Sequence, residues 1–94
     1  MMPDEGPRVY ITFQDFLEEV RKSVQGFIIS RDLLDRYYER EDGGRVIIQG
    51  GPFSAGQDLV GGTEQGMLRS LGVIMRRHGY PPVKGTHGVR GYRL

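Results

Sequence analysis

The chain has 94 residues, 37% of them hydrophobic, and a net charge of +1, the dimensions of one small domain. It holds no cysteine, which excludes disulfides, thiolate metal sites and thiol catalysis, and no apolar run approaches the ~20 residues of a membrane-spanning helix. The N-terminus lacks the basic-then-apolar order of a signal peptide, so a cytoplasmic location is expected. The small net charge hides an asymmetry. Residues 1–64 carry seven Lys/Arg against twelve Asp/Glu, whereas residues 65–94 carry Arg69, Arg76, Arg77, Lys84, Arg90 and Arg93 with no acid. Such a split points to a polyanion-facing C-terminal third on an acidic body.

Residues 1–8, with two prolines and a glycine, read as a disordered lead-in to one domain over 9–94. Thr12 is a helix N-cap with Asp15 three positions on as a short capping box. Phe13, Phe16, Leu17, Val20 and Val24 then recur at helical spacing, which predicts a helix over 12–25 closed by Gly26. Phe27-Ile28-Ile29 is one short strand. Ser30 reads as the next N-cap, before a helix over 31–41 whose buried face is Leu33, Leu34, Tyr37 and Tyr38 and whose stop is Gly43-Gly44.

Residues 43–62 hold seven glycines around a possible strand, Val46-Ile47-Ile48. A phosphate-binding P-loop needs a lysine and a Ser/Thr to close its glycine frame, and neither follows Gly56. A surface loop is the expectation. Thr63 caps a third helix over 63–78, with Met67, Leu68, Leu71, Ile74 and Met75 as its buried stripe. Its outer face is then Gln65, Arg69, Ser70, Gly72, Val73, Arg76 and Arg77. Gly79 and Pro81-Pro82 end it, and residues 82–94 read as a β-hairpin turning through Gly85–Gly88, with Tyr92 and Leu94 as core anchors.

Helix, short strand, helix, loop, helix, hairpin is the order of a winged helix-turn-helix, an α+β fold of three helices with a small antiparallel sheet and a C-terminal hairpin wing. Such a helix can enter a DNA major groove while a basic hairpin grips phosphates. Arg69 and Arg76 stand two turns apart on one face, and arginine suits bidentate contact with guanine. Lys84, Arg90 and Arg93 would position the protein on phosphates. Gln65, Ser70 and Arg77 complete the expected DNA-binding set.

Three stretches carry a family resemblance: SRDLLDRYYE with Leu34 and Tyr38, LRSLGVIMRRHGY ending in Gly79 and Tyr80, and GVRGYRL with Tyr92 where a tryptophan is common. Over Ile29–Leu94 the chain resembles the C-terminal winged-helix domain of phage and plasmid primase–helicases. The resemblance implies nucleic-acid binding in replication. The primase and ATPase domains that precede this module in that family are not in these residues, so it implies no catalysis. The glycine-rich stretch is also longer than a compact turn, which argues against a tight helix-turn-helix.

No catalytic constellation emerges. His78 and His87 do not match a metal-ligand spacing, Tyr37 and Tyr38 fall on a core face, and no serine has a base partner by spacing. The expectation is a non-enzymatic protein without cofactor or metal that binds duplex DNA as an accessory or regulatory factor in replication or transcription. The alternative is a protein-interaction module whose acidic face or glycine-rich loop docks a partner. Residues 50–62 are expected to be the first internal segment cut in limited proteolysis, because glycine-rich chain loses much entropy and packs little on ordering. Protection there equal to that of the third helix would instead mark a structural or partner-binding element.

Overall fold

The computed structural model describes residues 8–24, 26–51 and 64–94. In chain order these form β1 (Val9–Thr12), α1 (Phe13–Ser23), β2 (Phe27–Ile29), α2 (Ser30–Glu41), β3 (Val46–Gln49), α3 (Glu64–Arg77), β4 (Val83–Lys84) and β5 (Arg90–Arg93). The expected lead-in before Arg8, the Thr63 cap and the loop beyond Gly51 lie outside the described residues.

The capping box forms as the sequence predicts. Thr12 Oγ1 accepts from the Asp15 amide at 3.0 Å, and Asp15 Oδ2 accepts from the Thr12 amide at 3.1 Å. Phe13, Phe16, Leu17 and Val20 are buried. The helix stops at Ser23, two residues short of the expected end, because Val24 is already extended and Gly26 turns with φ of +91°.

At α2 the expected cap is corrected. Ser30 is the first helical residue, Ile29 holds the cap position, and no side chain caps this end. The Ser30 hydroxyl instead donates to the Arg90 carbonyl at 3.3 Å, which ties α2 to β5. At the other end Asp42 enters the left-handed region ahead of Gly43 and Gly44.

A strand before the first helix is the main element the sequence reading lacks. β1 pairs in parallel with β3, in the register Val9↔Val46 to Thr12↔Gln49. Val46 and Ile48 turn into the core, whereas Val9 and Tyr10 are exposed. Because β1 borrows its order from β3, its own alternation is too weak to announce it.

α3 buries Leu71 and Met75 completely, while Met67, Leu68 and Ile74 pack on the core's edge. Its end is a Schellman turn. The Gly79 amide donates to the Arg76 carbonyl at 3.0 Å and the Tyr80 amide to that of Met75 at 2.8 Å, with Gly79 at φ +87°.

The second sheet is antiparallel, in the order β2-β5-β4. Ile28 lies opposite Tyr92, and both enter the core formed with the three helices. Tyr37 closes that core against Phe13 and Phe16. None of the helices among the described residues is long and apolar enough to cross a membrane.

Two substitutions should separate core from cap energetics in urea denaturation. Leu71→Ala, at a fully buried position, is expected to cost about 2–5 kcal/mol. Thr12→Ala removes one half of the capping box and is expected to cost about 1 kcal/mol. A Leu71→Ala loss no larger than that of Thr12→Ala would contradict the placement of α3 on the core.

Candidate nucleic-acid interface

The helical repeat sorts the outer residues of α3 into two stripes. Gln65, Arg69, Gly72, Val73 and Arg76 recur at i, i+4, i+7, i+8 and i+11 on one side, and Ser70 and Arg77 on the other. The first stripe faces β5. Together they enclose a groove of about 410 Å³, lined by Gln65, Leu68, Arg69, Gly72, Val73 and Arg76 of α3 with Ser30, Pro82, Arg90 and Tyr92. Three guanidinium groups from two elements therefore line one groove, and among the described residues no acid does.

Tyr92 forms the floor. Its ring is buried, and a side chain placed on Gly72 would lie 3.4 Å from its hydroxyl, so the helix passes close over the tyrosine. Burial raises the Tyr92 phenol above its ordinary range, opposed by a hydrogen bond with Ser30 and by the charge of Arg76. The phenol thus stays neutral and presents no negative charge to a polyanion at neutral pH.

The acid nearest to this stripe in sequence, Glu64, is already occupied. Arg31 of α2 donates to both its carboxylate oxygens, at 2.5 and 2.7 Å. That bidentate bond holds the Glu64 carboxyl below its usual range. Arg40 is bound to Glu19 in the same way, joining α2 to α1. Two arginines of the acidic body are thereby committed to carboxylates. For Arg69, Arg76, Arg77, Arg90 and Arg93 the described residues show no ion pair.

Four of the eight expected contact residues, Gln65, Arg69, Arg76 and Arg90, share the groove. Arg77 is exposed on the other stripe, and Ser70 is half-buried there. Lys84 and Arg93 line a different groove, of about 980 Å³, with Asp32, Asp35 and Glu39 of α2. Strand alternation explains why Arg93 parts from Arg90, since Arg90 and Tyr92 occupy one face of β5 and Gly91 and Arg93 the other, whereas Lys84, the cross-strand partner of Arg90, reaches the second groove from the edge strand β4. Sequence reasoning also missed that Ser30, Pro82 and Tyr92 border the groove. Ser30 read as a cap and Tyr92 as core, and only the fold shows that each serves two surfaces.

His78 packs its ring on Phe13 at 5.2 Å between centroids and lies within 3.2 Å of Gln14 Oε1. Both contacts are structural. No cluster of three potential metal ligands occurs among the described residues.

Lys84 and Arg90 are direct partners across β4 and β5, a like-charge pairing that costs stability and that a bound polyanion would relieve. Lys84→Thr is therefore expected to raise the urea midpoint slightly while weakening binding to any polyanion. A lower midpoint would mean the lysine stem stabilises the hairpin more than the repulsion strains it. Compared with protein-family models, curated proteins and solved structures, the chain matches none.

Proposed function

We propose that the chain is a winged-helix DNA-binding protein, with α3 as recognition helix and the β4–β5 hairpin as wing. The observation that carries this reading is the groove in which Gln65, Arg69 and Arg76 of α3 meet Arg90 of β5 without a described acid. The element order and the strand order β2-β5-β4 support it, because they set a basic helix beside a basic hairpin. Arg69 and Arg76 reach base edges, Arg90 holds phosphates, and Arg77, Lys84 and Arg93 add charge at the margins. The resemblance to primase–helicase C-terminal domains supports an accessory or regulatory place in replication or transcription. The cysteine-free composition suits a reducing, cytoplasmic compartment. No catalytic step is proposed.

One observation favours a second reading, a protein-docking module. The larger groove joins the acidic Asp32, Asp35 and Glu39 to exposed Ile29 and Val89. A protein partner would fit that surface, and DNA would be repelled by its acidic wall.

Binding to random duplex and to single strand, measured by anisotropy at two salt concentrations, separates the two. About five phosphate contacts give a log–log salt slope near −4.5 on duplex. Arg69→Ala and Arg76→Ala should each weaken specific binding by about 1–3 kcal/mol. Their stability should change by no more than about 0.5 kcal/mol, since both are exposed. Arg90→Ala should weaken all sequences alike and flatten the slope by about one unit. Absence of binding to either form at low salt would sink the DNA reading and leave the docking reading.

A further inference from the structure

Val73 stands out in the arginine-lined groove. It is 48% exposed, the most exposed large apolar side chain of α3. A β-branched residue is also a poor choice for an exposed helix position on propensity alone. Its neighbours on the same side are Arg69, four residues before, and Arg76, three residues after, and all three line the groove. A short apolar group thus sits between two long cationic donors.

The major groove offers one apolar feature of matching size, the 5-methyl group of thymine. Resting on the DNA-binding reading above, we propose that Val73 packs against a thymine methyl and makes α3 selective for a thymine between the bases contacted by Arg69 and Arg76. Helix geometry sets the spacing. At 1.5 Å per residue, Val73 lies about 6 Å along the axis from Arg69 and about 4.5 Å from Arg76. With base pairs about 3.4 Å apart, the thymine falls one to two base pairs from each arginine-contacted base. The expected element is two guanines bracketing a thymine within roughly four base pairs. The valine supplies selectivity that guanidinium groups lack, because a cation gains nothing from a methyl group.

The test uses the full chain and a duplex selected from a randomised pool, with each thymine replaced in turn by deoxyuridine. Deoxyuridine keeps every hydrogen-bonding group and removes only the methyl. One position is expected to lose about fourfold in affinity, the worth of one buried methyl. Val73→Ala should bind the deoxyuridine and thymine duplexes alike at that position, and should keep its salt slope and thermal unfolding. With cytosine paired to guanine at that position, adding the 5-methyl group should tighten binding for the wild type and leave it unchanged for Val73→Ala. Equal affinity for every deoxyuridine duplex, or an unchanged loss in Val73→Ala, would overturn the proposal while leaving DNA binding intact. Failure to select any duplex while random duplex is still bound would overturn the proposal alone, absence of binding to duplex or single strand at low salt would overturn both, and a Val73→Ala defect confined to a protein partner would place the valine in a protein interface.

Discussion

The arrangement depends on a place where a side chain does not fit. Gly91 lies at the middle of the central strand β5, opposite Ile29 on one neighbour and Val83 on the other. A Cβ at Gly91 would collide with the Ile28 carbonyl and the Phe27 ring. Gly85 is hemmed in by the same ring. Phe27 can lie across the hairpin only because both positions lack side chains, and that contact seats β5 between its neighbours. From there Tyr92 enters the core beneath α3, and Arg90, on the same face of the strand, comes to the rim of the groove. Hairpin and helix are positioned by one close approach of backbone to backbone.

Charge is then sorted by geometry more than by composition. The hairpin has two faces, and each receives different company. One turns toward the arginines of α3, the other toward the carboxylates of α2. The Arg31–Glu64 bridge matters here for where it puts a charge, since an exposed pair adds little stability. It draws the one acid of the first α3 turn toward α2. A mildly cationic chain can thereby present one strongly cationic groove without a large net charge, which would itself oppose folding.

The helices were legible because their signals are local. Caps, stripes and terminal glycines lie within a dozen residues of one another, and the three helices form where those signals stand. The Phe27–Ile29 strand, the Val46 strand and the C-terminal pairing were readable as short β-prone runs bounded by turn residues. Which strands pair was less accessible. Nothing in Val9-Tyr10-Ile11 betrays a partner at Val46–Ile48, because parallel pairing leaves no turn between the strands for a reader to find. The same limit applies to the arginine groove. The count of arginines was visible in the sequence, and so was the side of α3 that bears Arg69 and Arg76. That Arg93 borders a different groove from Arg90 follows from the side of β5 each occupies, which residue counts do not encode.

The central position of β5 has a kinetic consequence. Phe27 must meet Arg93 and Val9 must meet Val46, pairings separated by most of the described sequence and by an entire helix–strand–helix passage respectively. The helices can form within microseconds from nearby residues, but neither sheet can close until distant segments meet, at an entropic cost that local structure does not repay. Pairing of these distant strands is therefore expected to limit the folding rate. Until then the arginine groove exists as a helix face without its opposite wall, so completion of the fold and completion of the cationic groove are one event.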